Sequence, residues 1–211
     1  MKMVYPSRLF IAGTDTGIGK TLVSAILMSG LNAKYWKPVQ SGLTGITDTE
    51  WIKENTGLDA SRFFHETYRL KEPLSPHASA ALEGIHIDLE SFVIPETSKG
   101  EILIIEGAGG IMVPLNEKEL MIDLMKRFNA PVILVARSGL GTINHTLLSI
   151  NQLRQENIEI FGAVMNGPLN KSNRNAIEHF SDIKVIAEIE PMETITPETL
   201  KQGFSRYLGK M

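Results

Sequence analysis

Short apolar runs rich in β-branched residues alternate with amphipathic segments along the whole chain. The runs are residues 9–12, 35–39, 102–106, 132–136, 160–165 and 185–189, and most are continuously apolar. A strand with one face in water alternates apolar with polar, whereas a strand covered on both faces does not. Between the runs, residues 20–31, 48–55, 121–128, 143–155, 172–180 and 197–208 carry helical patterning. Strand–helix alternation predicts an α/β fold: a mainly parallel central sheet of about six or seven strands, with right-handed crossovers and helices on both faces. Thr47 and Glu50 form a capping-box pattern, and Thr196 precedes a first-turn proline, Pro197. Residues 64–94, which include Pro73 and Pro76, read as an irregular excursion over one end of the sheet. With no repeat, low-complexity tract or linker, residues 1–211 are expected to form one domain.

The first apolar run is followed by Gly13-Thr14-Asp15-Thr16-Gly17-Ile18-Gly19-Lys20-Thr21, which opens the first helix. A glycine-rich turn between a buried strand and a helix lets successive amides point inward, and the helix N-terminus adds positive potential. Lys20 supplies a cation for β- and γ-phosphates, and Thr21 supplies a hydroxyl for Mg²⁺. The expected fold is therefore P-loop NTPase-like. The spacing from Gly13 to Gly19 is one residue longer than the common phosphate-loop pattern. Asp15, inside the loop, reads either as a partner for a cationic substrate or as a clamp on loop amides.

Further candidates lie where later strands end, the edge at which open parallel sheets bind ligands. Lys37-Pro38-Val39-Gln40-Ser41-Gly42 places Lys37 to reach the same crevice as Lys20. Two cations there would hold the charge of a moving phosphoryl group. Lys37 reads otherwise as a surface lysine before a turn, and Ser41 as a substrate donor or a turn serine. Ile102-Leu103-Ile104-Ile105-Glu106-Gly107-Ala108-Gly109-Gly110 ends a buried strand in a carboxylate, which needs a cation: Mg²⁺ or a lysine. Asp48 reads as a further Mg²⁺ ligand or as first-turn compensation of the helix dipole. Gly139-Leu140-Gly141-Thr142-Ile143-Asn144-His145 offers a second anion-binding helix start, or a glycine turn capped by Thr142. Asn166 would read a purine edge or form a turn before Gly167-Pro168. His77 and His145 lack metal-ligand spacing.

Composition narrows the picture. A net charge of −3 gives no global field for nucleic acid or an anionic membrane. The absence of cysteine removes disulfides, thiolate zinc sites and cysteine nucleophiles. The run 9–12 is too short for a signal peptide, and no apolar stretch nears the ~20 residues of a membrane span. The expected location is the cytoplasm.

These segments together resemble dethiobiotin synthetase. The resemblance rests on residues 13–21, Lys37-Pro38-Val39-Gln40-Ser41-Gly42, Ser75-Pro76-His77, Glu106-Gly107-Ala108-Gly109-Gly110 and Leu140-Gly141-Thr142-Ile143-Asn144-His145, in the family's order. The longer phosphate loop is the family's form. The resemblance implies a homodimer that joins 7,8-diaminononanoate and CO₂ (or bicarbonate) at the expense of ATP, giving dethiobiotin, ADP and phosphate. It implies Lys20 and Lys37 as catalytic, and Thr21, Asp48 and Glu106 around Mg²⁺. It implies nucleotide contacts from Gly17, Ile18, Gly19, Lys20, Thr21, Leu22, Asp48, Glu106, Gly107, Ala108, Gly109, Asn166 and Glu188. Substrate contacts would come from Thr16, Ser41, Gly110, Leu140, Gly141, Thr142, Ile143 and Asn144, the last five partly across the dimer. Where the family usually has Gly-Glu-Ile-Pro near the adenine, this chain has Ala187-Glu188-Ile189-Glu190-Pro191.

Three other readings compete. A cobyrinate-type amide synthase needs a cysteine-bearing glutaminase domain, for which there is neither cysteine nor room. A nucleotide-dependent partitioning or positioning switch usually carries a lysine early in the phosphate loop, where this chain has Thr14 and Asp15, and often a basic C-terminal helix. An inactive regulatory domain would not need Lys20, Thr21, Lys37 and Glu106 intact.

Overall fold

The computed structural model describes residues 3–209. Six strands form one parallel sheet: β1 (Arg8–Gly13), β2 (Lys34–Trp36), β5 (Leu103–Glu106), β6 (Val132–Arg137), β7 (Ile160–Asn166) and β8 (Val185–Ile189). Their order is β2-β5-β1-β6-β7-β8, so the chain reverses its direction of travel about β1. A crevice opens at such a reversal, outside the carboxyl ends of the strands. β1 leads there into the phosphate loop, and β5, paired with it in the register Ile11 to Glu106, delivers its carboxylate beside that loop.

The continuous apolar runs are explained by two cores. Along β1, Phe10 and Ala12 face one core, while Leu9 and Ile11 face the other. The first core gathers Phe10, Trp36, Phe92 and Phe128 with α4 (Met121–Phe128) and the inner residues of α5 (Thr142–Gln155) and α6 (Lys171–Ser181). The second packs α1 (Lys20–Leu31), with α2 (Asp48–Thr56) and α7 (Pro197–Gly203), against the opposite face. Both capping signals are formed. The Thr47 hydroxyl accepts from the Glu50 amide, and Thr196 does the same for Thr199 ahead of Pro197.

Three expectations need correction. Residues 35–39 are not one strand. β2 stops at Trp36, and β3 (Val39–Ser41) pairs instead with β4 (Tyr68–Leu70) in a separate parallel ribbon. Pro38 lies at the break: it has no amide to continue the ladder, while its carbonyl accepts from the amides of Thr67 and Tyr68. Residues 64–94 are less irregular than expected, containing β4 and α3 (Pro76–Leu82), which starts at a first-turn proline. The last helix changes register after Gly203, and Phe204–Leu208 forms a π-turn. Phe204 reaches α1 there only because position 30 is glycine; a Cβ at Gly30 would lie 1.9 Å from its ring.

Candidate functional site

The phosphate loop ends at Gly19, which caps α1 with φ 98°. A side chain at Gly19 would be strained by that φ, and its Cβ would lie 2.1 Å from the Asn166 amide nitrogen. Asn166, from the end of β7, uses that nitrogen to donate to the Ile18 carbonyl at 3.0 Å. It therefore braces the loop. Lys20 folds back over the loop and donates to the Asp15 carbonyl at 3.0 Å. Burial, and then the nearby Lys37 ammonium, pull its pKa down to about 8. The Asp15 side chain accepts from the Thr16 amide at 2.7 Å and pairs with Arg137, so it clamps the loop.

The break between β2 and β3 aims Lys37 inward. Its ammonium lies 2.6 Å from Asp48 Oδ2 and 3.0 Å from Glu106 Oε1. Burial is the largest single influence on Lys37 and acts to lower its pKa, but the two carboxylates outweigh it and the net shift is upward. Burial likewise acts to raise the Asp48 pKa, yet Lys37 and the Thr21 hydroxyl hold the carboxyl below its usual range. Asp48 keeps its place because its own amide donates to Gln40 Oε1 at 3.2 Å.

Glu106 is fully buried and accepts four side-chain hydrogen bonds. Oε1 receives Thr21 and Lys37, both at 3.0 Å. Oε2 receives Ser24 at 2.6 Å and Tyr35 at 3.1 Å. The single Thr21 hydroxyl proton is shared between Glu106 Oε1 and Asp48 Oδ1, which lies at 2.7 Å. Thr21, Asp48 and Glu106 thus meet as one set of hard oxygens. Among the described residues no three His, Cys, Asp or Glu side chains gather as a metal cluster. Two carboxylates with a hydroxyl, completed by water and phosphate oxygens, are nevertheless the donors that suit Mg²⁺.

These groups line a cavity of about 460 Å³. Its wall brings together Thr16, Gly17, Gly19, Lys20, Thr21, Lys37, Ser41, Asp48, Glu106, Ala108 and Gly109 from the expected set. Pro73, Leu74, Pro76 and Val113 add an apolar side, suited to an alkyl chain. Among the described residues the buried Ser41 hydroxyl has no hydrogen-bond partner, which leaves it able to take one from a ligand. Gly107 offers its carbonyl to Lys37 at 3.4 Å, Ile18 packs into the second core just before α1, and Leu22, on α1, packs partly buried against that core.

Other expected residues lie apart from that wall. Gly110 packs behind it, against the carbonyls of Thr14 and Gly13. Leu140, Gly141, Thr142, Ile143 and Asn144 do not line it; Leu140 and Asn144 are exposed. The cap of α5 is Gly141 rather than Thr142, whose hydroxyl donates to the Arg137 carbonyl at 2.5 Å. Glu188 pairs with Arg174 at 3.0 Å through one oxygen, and its other, buried oxygen has no partner among the described residues.

Four contributors were not singled out in the sequence: Ser24, Tyr35, Gln40 and Arg137. A faint signal existed for two. Ser24 lies one turn after Lys20 within the apolar stretch of the helix, and Tyr35 lies two residues before Lys37 in the same strand run.

Solved structures share the fold. The MinC:MinD cell division protein complex of Aquifex aeolicus aligns with TM-score 0.52 at 14% identity, covering 94% of this chain and 86% of that one. A ParA family ATPase from Chlorobium tepidum TLS aligns with TM-score 0.51 at 12% identity, covering 96% and 90%. At such identities the likeness is one of fold alone, and the fold is P-loop NTPase-like. Sequence relatives are much nearer. A family model described as an AAA domain matches residues 7–199. The ATP-dependent dethiobiotin synthetase BioD of Paramagnetospirillum magneticum is 50% identical over 192 residues, covering 91% of this chain and 92% of the relative. The protein of the same name from Brucella ovis is 45% identical over 200 residues, covering 95% and 93%. The biotin biosynthesis bifunctional protein BioCD of Bordetella avium is 44% identical over 196 residues, which are 92% of this chain and 42% of that longer protein. With such identity along nearly its whole length and a phosphate loop joined to a buried Lys–Asp–Glu cluster, the chain belongs to the ATP-dependent dethiobiotin synthetase family.

Proposed function

We propose that this chain closes the ureido ring of dethiobiotin from 7,8-diaminononanoate, CO₂ and ATP in its 460 Å³ cavity, working as a single P-loop domain. One substrate amine adds to CO₂ and loses a proton, giving a carbamate. A carbamate oxygen attacks the γ-phosphorus, the bond to the β–γ bridging oxygen breaks, and ADP leaves. The second amine attacks the carbonyl carbon of the mixed anhydride. Phosphate departs with the former carbamate oxygen, and loss of a proton leaves the cyclic urea.

The carbamate is already an anionic nucleophile, so this chain need not supply a strong base for phosphoryl transfer. It must bring two anions together, which is work for cations. Lys20 holds the β- and γ-phosphates. Lys37 stands between carbamate and γ-phosphate. Thr16 and the free hydroxyl of Ser41 orient the substrate, whose alkyl chain lies on Pro73, Leu74 and Val113. Thr21, Asp48 and Glu106 would hold Mg²⁺. When bound, that ion neutralises phosphate charge that builds up during transfer. Gly17, Ile18, Gly19, Leu22, Gly107, Ala108 and Gly109 form the nucleotide's bed, with Asn166 and Glu188 toward the base. In a homodimer, the turn into α5 at residues 140–144, where Leu140, Gly141 and Asn144 are exposed and Thr142 is buried, would meet the substrate carboxylate, with Gly110 supporting the wall from behind. None of the described helices is long and apolar enough to cross a membrane, and a cytoplasmic location gives access to ATP and the diamine.

The observation that carries this reading is the convergence of Lys20 and Lys37 on one cavity with Thr21, Asp48 and Glu106. Phosphate release from Mg-ATP and bicarbonate should appear only when diamine is added. Hydrolysis without diamine would favour a nucleotide switch, and no turnover under either condition would favour an inactive domain.

A further inference from the structure

We infer that Ser24 and Tyr35 are positioning residues that hold Glu106 with one defined oxygen, Oε1, turned toward the metal and phosphates. The inference rests on the assignment of Glu106 to Mg²⁺ above. A glutamate's terminal torsion is broad and nearly two-fold, so a carboxylate at the end of a strand has no intrinsic orientation. Here its two oxygens have different partners. Among the described residues Oε2 accepts only from Ser24, at 2.6 Å, and Tyr35, at 3.1 Å; Oε1 accepts from Thr21 and Lys37. The two donors to Oε2 come from separate elements, α1 and β2, so together they fix the plane of the group as well as its position.

The arrangement is closed off from solvent. Ser24, Tyr35 and Glu106 are all at 0% exposure, so water has no ready path to replace either hydroxyl. The Tyr35 ring is held edge-on to Phe63, with centroids 6.1 Å apart. Thr21 and Ser24 lie three residues apart on α1, and therefore on one face. That face offers one hydroxyl to each oxygen of the carboxylate. The oxygen that meets Thr21 and Lys37 is the one on the cavity side, where phosphates would lie. Outer partners that orient a metal ligand commonly matter about 10–100-fold in metal affinity or activity.

A merely structural role, satisfying a buried carboxylate, makes a different prediction. The test uses Tyr35→Phe and Ser24→Ala, each removing one oxygen with little other change, and the double variant. Mn²⁺ is the probe, with its binding followed by electron paramagnetic resonance in the presence of a non-hydrolysable ATP analogue. The Mg²⁺ concentration for half-maximal turnover and thermal melting are measured alongside. Each single variant should weaken Mn²⁺ binding and raise the Mg²⁺ half-saturation, reaching about 10-fold or more in the double variant. Analogue binding in excess EDTA should stay as in the parent protein. A lower melting temperature with unchanged Mn²⁺ binding in every variant would leave the hydroxyls a structural role only and overturn the inference. Glu106→Gln separates the two levels. If it leaves Mn²⁺ binding unchanged, the assignment of Glu106 to the metal fails and this inference with it. If it weakens Mn²⁺ binding while the hydroxyl variants do not, only the positioning role is lost.

Discussion

Lys37 Nζ lies 3.0 Å from Glu106 Oε1, with 5% and 0% of the two side chains exposed. Taking a lysine and a glutamate out of water costs several kcal/mol per ion, and their mutual attraction returns this only in good geometry. Such a pair is poor value as a stabilising device. It is understandable if each group has a second partner during the reaction: the γ-phosphate for Lys37, the divalent ion for Glu106.

Lys37→Gln should therefore separate catalysis from binding. Phosphoryl transfer should fall by about 10²–10³-fold as one of the two cations is lost. Nucleotide affinity, measured by calorimetry, should change by less than about 1 kcal/mol, because Lys20 and the loop amides remain. The melting temperature should also drop, since Glu106 stays buried without its ammonium. An active Lys37→Gln protein would remove Lys37 from the mechanism.

Gly19→Ala should damage the nucleotide site itself. The new Cβ would sit 2.1 Å from the Asn166 amide nitrogen on a backbone with φ +98°. Strain of this kind costs on the order of 1–3 kcal/mol, equivalent to roughly 5–150-fold in affinity. Shortening Asn166 to alanine in the same protein should recover only part, because the backbone conformation is still unfavourable. Full recovery in a nucleotide-binding titration would show that the side-chain clash was the whole problem.

Arg137→Gln should be mild. Arg137 and Asp15 pair at the mouth of the phosphate loop, but their side chains are 47% and 46% exposed. Exposed pairs are worth about 0–1 kcal/mol. The KM for ATP should rise by no more than about five-fold, and the effect should shrink as salt is added. A hundred-fold loss would mean that Arg137 contacts a reactant directly.

Tyr5 gives a pH signature away from the site. Its hydroxyl donates to the Leu208 carbonyl at 2.7 Å, and burial pushes its pKa upward. Above about pH 10 the unfolded chain loses this proton and the folded chain keeps it. The folded state then binds more protons, so its stability must fall as pH rises. The stabilisation is complete below pH 10 and is lost progressively above it. Tyr5→Phe should flatten that alkaline loss in denaturant titrations between pH 9 and about 11.

Much of this was legible along the chain. The phosphate loop is local: residues 13–21 set their own curl, so Lys20 and Thr21 could be read without a fold. Continuous apolar runs announced a two-faced parallel sheet, and the pattern at Thr47 and Glu50 announced the start of α2. Helix and strand ends depend on nearest neighbours, which a linear reading sees. The strand drawn through Lys37 was wrong because the pattern of apolar residues ignores the amide that Pro38 lacks.

What the linear order left open was partnership. Asp48 read as a metal ligand or as compensation of a helix dipole, and Glu106 as a metal ligand or as the acid of an ion pair; folding gives both a place beside Thr21 and Lys37. Thr21 and Glu106 are 85 positions apart, and only the adjacency of β1 and β5 brings their elements together. Ser24 and Tyr35 carry no motif, because a buried hydroxyl acquires meaning only from the atom it faces. Dihedral preferences and apolar periodicity act over a few residues and are written in the chain. Hydrogen bonds and charge pairs act over ångströms of space, and those distances exist only after the sheet has ordered its strands.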